Sequence, residues 1–131
     1  MTELDLIIDL HRNSERQGPG SKKETLRALD FIDRSDKSNL QIADIGCGSG
    51  GQTITLAQHL DGQITAVDLL PNFLNELNKK AKASGVDTKI TTLEHTMEEL
   101  PFERSSLDII WSEGAIYSMG FEAGIKNWHQ F

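Results

Sequence analysis

Residues 43–53 read ADIGCGSGGQT and place four glycines directly behind a short apolar segment. That segment, residues 40–45, predicts a buried strand that runs into the glycines. From about residue 51 onward, apolar side chains recur at helical spacing and predict a helix. A strand, a glycine-rich loop and a helix in this order indicate the opening unit of an α/β domain.

The chain continues this alternation downstream. Further strands are predicted at 63–67, 89–93 and 107–111, with a helix between Pro71 and Gly85 and another over 121–131. The alternation predicts a Rossmann-like open α/β fold, with a mostly parallel sheet and helices on both faces. Sheets of this kind normally have five or more strands. The domain, residues 40–131, is therefore expected to be truncated after its fourth strand and incomplete at its C-terminal end.

Residues 1–39 precede this domain and are predicted to form a helical lid or cap segment. A first helix is expected over 3–13. A second is expected behind Ser21, which forms a capping-box pattern with Glu24, and it should run to about Arg34. The intervening QGPG at 17–20 is either a gate over the site or a plain interhelix loop.

Composition excludes several classes of function. The formal net charge of −7 weighs against a nucleic-acid partner, because phosphate binding needs clustered Lys and Arg. No apolar run approaches the roughly 18 residues of a membrane helix, and the N-terminus lacks a secretion leader, so we expect no membrane partner and a cytoplasmic location. Cys47 is the single cysteine and the four histidines are scattered, so no metal site is expected.

The glycine loop fits two ligand-binding patterns. Positions 46, 48 and 51 spell G-x-G-x-x-G, which is typical of NAD-type oxidoreductases. Positions 44, 46, 48 and 50 spell D-x-G-x-G-x-G, which indicates S-adenosylmethionine. Both patterns use glycine for a close backbone approach and the following helix N-terminus for an anion. Asp68, 22 residues after the first glycine, suits ribose hydroxyls in either case.

Asp44 separates the two patterns. A carboxylate beside the loop repels a pyrophosphate. It attracts a ligand that carries an ammonium and a sulfonium, by about 1–4 kcal/mol at partly shielded separations of about 4 Å. Electrostatics therefore favours S-adenosylmethionine, the alternative being that Asp44 only hydrogen-bonds the loop backbone.

Three further segments support this choice. The glycine stretch, AVD at 66–68, ELPF at 99–102 and SLDIIWS at 106–112 together resemble the class I S-adenosylmethionine-dependent methyltransferases. The closest resemblance is to the small-molecule branch typified by ubiquinone and menaquinone biosynthesis. It covers residues 40–113 and only the N-terminal part of such an enzyme. It implies methyl transfer to a small molecule, with this chain holding the cofactor-binding half.

The resemblance also implies roles for individual residues. The cofactor contacts fall on Asp44, Gly46, Cys47, Gly48, Gly50, Asp68, Leu69, Thr96, Met97 and Ser112. Asp44 would meet the methionine end of the cofactor and Asp68 its ribose. At 96–97 the family often has Asp-Ala, so an acid is missing here, and Glu94 or the Met97 backbone would substitute. Glu113 falls where methyl group and substrate meet and is the candidate acid or base.

Two alternatives stay open. One is an NAD-type oxidoreductase domain, which the G-x-G-x-x-G pattern supports. The other is a truncated cofactor-binding fragment without turnover, because the sheet is incomplete.

The uncovered edge of the last strand would also allow a homo-oligomer to form. Tyr117 either lines a substrate pocket or packs in the core. His95 is expected in a surface or capping role, the alternative being contact with the ligand near the adenine.

Overall fold

The computed structural model describes residues 2–11, 20–33 and 37–131. Most of the glycine-proline break at 17–20 and the expected ends of the first two helices lie outside the described residues. The elements in chain order are α1 (Glu3–His11), α2 (Lys22–Leu29), β1 (Leu40–Ile45), α3 (Gly51–His59), β2 (Gly62–Asp68), α4 (Pro71–Ala83), β3 (Ile90–Glu94), β4 (Ile109–Trp111) and α5 (Phe121–Trp128). Two single 3₁₀ turns lie at Asp87–Lys89 and Ile116–Ser118.

The four strands form one parallel sheet in the order β3-β2-β1-β4. β1 and β2 lie at its centre and are apolar along most of their length, as strands covered on both faces should be. Because all four strands are parallel, their carboxyl ends meet at one edge of the sheet. The order reverses direction at β1, where the chain passes from β3 on one side to β4 on the other, and ligands bind at such switch points.

Helices cover both faces of the sheet, as predicted. On one face, α2, α3 and α4 bury Leu29, Leu56 and Leu77 against the strands. On the other face, Trp128 of α5 packs with Ile45 and its neighbours. Burying a leucine side chain fully contributes about 1.5–3 kcal/mol, so these layers hold the strand ends in fixed positions. The predicted Rossmann-like α/β fold is confirmed.

Two predicted elements end in different places in the structure. β4 begins at Ile109 and not at 107, because the N–H groups of Ser105 and Leu107 donate to the carbonyls of Gln130 and Phe131, both at 2.9 Å, instead of joining the sheet. α2 ends at Leu29, because the next three N–H groups bond carbonyls three residues back and tighten the chain into a turn.

Smaller differences affect the flanking elements. β3 runs from Ile90 to Glu94, because Lys89 lies in a 3₁₀ turn and its Nζ donates to two carbonyls at the end of α3, at 2.6 and 2.8 Å. The helix over 121–131 ends at Trp128. α1 forms as predicted, but it buries Ile8 and leaves Leu10 exposed. Across the described residues, no helix combines the length and apolar character needed to cross a membrane.

Candidate functional site

A cavity of about 450 Å³ lies at the carboxyl edge of the sheet. Its wall is built mainly from the segment that follows each strand: residues 46–48 after β1, 67–70 at the end of β2, 95–98 after β3 and 113–115 after β4. Leu4, Gln52, Phe73, Tyr117 and Ser118 complete the lining. The volume falls within the range of small-molecule sites in proteins.

Two positions of the glycine loop cannot hold a larger residue, because of their backbone conformation and of the side chains packed against them. Gly46 has φ +72°, and a Cβ there would collide with the Cβ of Ala115. Gly50 begins α3 with φ +90°, and a Cβ there would collide with the side chain of Leu77. Glycine is therefore required at both positions by backbone conformation and by packing. Gly46 lines the cavity, whereas Gly50 does not.

Asp44 lies behind the loop, fully buried and outside the cavity wall. Its carboxylate accepts the Thr53 hydroxyl at 2.6 Å and the Gln52 amide at 3.2 Å. Burial raises the pKa of Asp44 to about 7; these two hydrogen bonds oppose the rise, and the charges of Glu113 and Asp68 add to it. Gln52 stands between this carboxylate and the cavity, so direct contact of Asp44 with a cofactor stays a prediction.

Asp68 ends β2 and lines the cavity. One carboxylate oxygen accepts the N–H of Gly48 at 2.9 Å, and the other accepts the N–H of Leu70 at 3.0 Å. Asp68 thereby ties the glycine loop to the end of the neighbouring strand. Leu69, with 62% of its surface exposed, presents an apolar side chain beside it.

The segment after β3 contributes Thr96, Met97 and a carboxylate that the sequence analysis missed. Glu98 lines the cavity and accepts a hydrogen bond from the Thr96 hydroxyl. It lies two residues beyond position 96, where the expected acid is missing, whereas Glu94 is exposed and off the wall. The Met97 carbonyl accepts the indole N–H of Trp128 at 3.0 Å, which ties α5 to this wall.

The turn after β4 places Ser112 and Glu113 differently. The Ser112 hydroxyl donates to the Ile45 carbonyl at 3.0 Å and does not line the cavity. Glu113 does line it, and its carboxylate accepts the hydroxyl of Thr25 from α2. Tyr117, 75% exposed, stands on the cavity wall and not in the core.

Eight of the eleven predicted site residues line this one cavity: Gly46, Cys47, Gly48, Asp68, Leu69, Thr96, Met97 and Glu113. Asp44, Gly50 and Ser112 lie behind it. Cys47 is held as the thiol, the less nucleophilic form, because burial raises its pKa well above the ordinary value and the charges of Asp44 and Asp68 add to the effect. Within the described ranges, no three His, Cys, Asp or Glu side chains gather as metal ligands.

The fold and the position of the cavity define an α/β domain with a candidate small-molecule site at the carboxyl edge of its parallel sheet. Residues 42–130 match the family described as "Methyltransferase domain", and the chain belongs to that family. It is thus a member of the S-adenosylmethionine-dependent methyltransferases.

Individual relatives differ in the acceptor that their names give. The chain is 23% identical over 109 residues to a sarcosine/dimethylglycine N-methyltransferase of Halorhodospira halochloris, a match that covers 83% of this chain and 39% of the relative. It is 31% identical over 87 residues to a malonyl-[acyl-carrier protein] O-methyltransferase of Acetivibrio thermocellus, covering 62% of this chain and 31% of the relative. The chain thus spans well under half of these relatives.

A solved structure shows the same fold. The crystal structure of YjhP from E. coli superposes with a TM-score of 0.78 at 20% identity, over 95% of this chain and 50% of that one. At this level of identity the likeness concerns the fold alone.

Proposed function

We propose that this chain holds the cofactor-binding part of an S-adenosylmethionine-dependent methyltransferase that acts on a small molecule. The observation that carries the proposal is the charge of the cavity wall. Asp68, Glu98 and Glu113 line it, and none of its described lining residues is Lys or Arg. A carboxylate-rich wall suits a ligand with an ammonium and a sulfonium, and it repels the two phosphates of a nicotinamide dinucleotide.

The residues on the wall fit the parts of this cofactor. Asp68 would hold the ribose hydroxyls, because it lines the cavity and a carboxylate oxygen accepts more than one hydrogen bond. Leu69 and Met97 would cover the apolar faces of the adenine. Glu98 would accept from the adenine amino group, in place of the acid that is missing at position 96.

The methionine end would lie over the glycine loop. Gly46 and Gly48 line the cavity there without side chains, and Gln52 offers an amide. Asp44 would act from behind. Its pKa is about 7, so a positive ligand on the other side of Gln52 would favour the ionised form of this carboxyl and be attracted by it.

The acceptor would bind near Glu113 and Tyr117. S-Adenosylmethionine, when bound, supplies a methyl group on a positively charged sulfur. The protein then has to align the acceptor and exclude water, and no covalent enzyme intermediate is required. Where the accepting atom carries a proton, Glu113 would take it. The acceptor is proposed to be a small molecule that offers nitrogen, oxygen or carbon.

Calorimetric titration tests the cofactor assignment. The chain is titrated side by side with S-adenosylhomocysteine, S-adenosylmethionine and NAD⁺, and we expect the first two to bind and the third to give no binding heat. An Asp61→Asn variant, which should bind like the wild type, is titrated as a control for the loss of one negative charge away from the cavity. Asp61 is exposed at the opposite edge of the sheet, immediately before β2. Binding of NAD⁺, or of none of the three, would refute the proposal.

Turnover needs a separate assay. The chain is incubated with tritiated S-adenosylmethionine and a panel of acceptors that includes sarcosine and dimethylglycine, and tritium in the product is counted. The same assay on a form extended to the full length of the relatives shows whether residues beyond this chain are needed. Cofactor binding without label transfer in either form would support a binding role alone.

A further inference from the structure

Helix α2 contacts a residue of the cavity wall through the buried Thr25. Thr25 is fully buried, and its hydroxyl lies 3.0 and 2.9 Å from the two carboxylate oxygens of Glu113, 88 residues later in the chain. The two nearly equal distances place the hydroxyl between both oxygens. A hydrogen bond to a carboxylate is charge-assisted and is stronger than one between neutral groups.

The same hydroxyl has a local alternative. It also lies 3.3 Å from the carbonyl of Ser21, one helical turn earlier. Threonines in helices commonly bond that carbonyl, and one hydroxyl proton serves one acceptor at a time. The shorter distance and the negative charge of Glu113 favour the carboxylate.

The turn that carries Glu113 is held from two sides. Ser112, the preceding residue, donates its hydroxyl to the end of β1 at 3.0 Å. Gly114, the following residue, has a positive φ of 68°, which turns the chain sharply away. The backbone is therefore fixed by β1, while the side chain is fixed by α2.

We propose that Thr25 is a positioning residue, whose hydroxyl holds the Glu113 carboxylate in place on the cavity wall. Helix α2 would thereby contribute to the geometry of the site. The use of Glu113 in methyl transfer rests on the proposed function. The contact between Thr25 and Glu113 does not, and the two can be tested separately.

Two substitutions distinguish positioning from packing. Thr25→Val keeps the shape and removes the hydroxyl, whereas Thr25→Ser keeps the hydroxyl and removes a methyl group. A positioning role makes valine the damaging change, and a packing role makes serine the damaging change. Thr55→Val is the matched control: Thr55 is a buried threonine on α3 whose hydroxyl bonds the Gly51 carbonyl at 3.3 Å, away from the cavity.

The first measurement needs no ligand. NMR signals of the amides at 112–114 and of the Glu113 side-chain carboxyl are compared in the wild type and the three variants. We expect them to move in Thr25→Val and to stay near the wild-type positions in Thr25→Ser and Thr55→Val. Wild-type signals in Thr25→Val, or a larger change in Thr25→Ser, would overturn the inference.

The second measurement is the affinity for S-adenosylmethionine. We expect Thr25→Val to weaken binding about tenfold and Thr25→Ser to stay within about twofold of the wild type. In a Glu113→Ala background, which removes the acceptor, the Thr25→Val change should have little further effect, because Thr25 acts through that carboxylate. A loss that persists in full in this background would overturn the inference.

The NMR comparison tests the contact between Thr25 and Glu113, and the affinity measurement also depends on the proposed function, so the two claims can be refuted separately. Thermal unfolding shows whether each variant is folded. If Thr25→Val is not folded, Thr25→Ser and Glu113→Ala are compared instead, and a larger loss of affinity in Thr25→Ser would overturn the inference. A wild-type chain that binds neither S-adenosylmethionine nor S-adenosylhomocysteine would refute the proposed function. The NMR comparison would still decide whether Thr25 holds Glu113.

Discussion

The carboxylate of Asp68 accepts the backbone N–H of Gly48 at 2.9 Å, and so joins the end of β2 to the glycine loop that follows β1. Its other oxygen accepts the N–H of Leu70 at 3.0 Å. The residue assigned to the ribose is therefore also the residue that fixes the loop beside it. Its removal should affect both the loop and the ligand.

Asp68→Asn should weaken the binding of S-adenosylhomocysteine by at least about tenfold. The amide keeps one oxygen acceptor but replaces the other with a donor, so one backbone N–H loses its partner, at a cost of about 1–3 kcal/mol. Calorimetric titration gives the affinity. Asp61→Asn, an equal change of charge away from the cavity, should bind like the wild type. Equal affinities of the two variants for S-adenosylhomocysteine would show that Asp68 does not contribute to binding this ligand.

Stability should fall as the pH rises, because of Asp44. Folding raises the pKa of this carboxyl from 3.8 to about 7, chiefly through burial. Between these values the folded chain keeps a proton that the unfolded chain has lost, so the free energy of unfolding decreases with rising pH. From pH 5 to pH 8, Asp44 alone contributes a decrease of about 3 kcal/mol.

Asp44→Asn removes this titration. Urea unfolding at pH 5 and pH 8 should therefore show a smaller decrease in the variant than in the wild type. Subtracting one decrease from the other cancels the remaining titratable groups. An identical decrease in both proteins would mean that Asp44 is ionised at pH 5 in the folded chain.

Gly50→Ala should destabilise the fold by about 2–4 kcal/mol. The new Cβ meets the side chain of Leu77 and stands on a backbone with φ +90°, so overpacking adds to conformational strain. Gly85→Ala isolates the conformational strain, because Gly85 has φ +71° with no described atom within 4 Å of the new Cβ. It should cost about 1–2 kcal/mol. Equal costs measured by urea unfolding would exclude the contact with Leu77.

Trp128→Phe should destabilise the chain more than Trp111→Phe. Both tryptophans are buried, but the Trp128 indole donates to Met97, while the indole N–H of Trp111 has no hydrogen-bond partner within the described part of the chain. Phenylalanine removes a made hydrogen bond at 128 and an unsatisfied donor at 111. We expect a difference of about 1–2 kcal/mol in the free energy of unfolding. The reverse order would contradict it.

The sequence was sufficient for the order of the elements and for the edge of the sheet that carries the site. Periodicity located β1, β2 and α4 to within a residue or two, because their apolar patterns are local. The start of β4 could not be predicted, since it depends on whether residues 105–107 pair with the sheet or with residues 130–131. That competition is decided by tertiary structure.

In the site too, some positions follow from the local sequence and others depend on tertiary contacts. Asp68 ends β2, and Gly46 and Gly48 come just after β1, so their positions on the wall could be predicted. Asp44 lies near the end of β1 and is also expected at the site, yet partners from α3 hold it behind the loop. Leu4 and Thr25 carry no local signal at all, because α1 and α2 reach the cavity only through the folded arrangement.

A crystal structure of the chain grown with S-adenosylhomocysteine tests the central claim most directly. We expect the ligand in the cavity at the carboxyl edge, with its ribose hydroxyls on Asp68 and its adenine between Leu69 and Met97. Ligand bound elsewhere, or a cavity free of ligand at saturating concentration, would contradict the assignment of this carboxylate-lined cavity to the methyl donor.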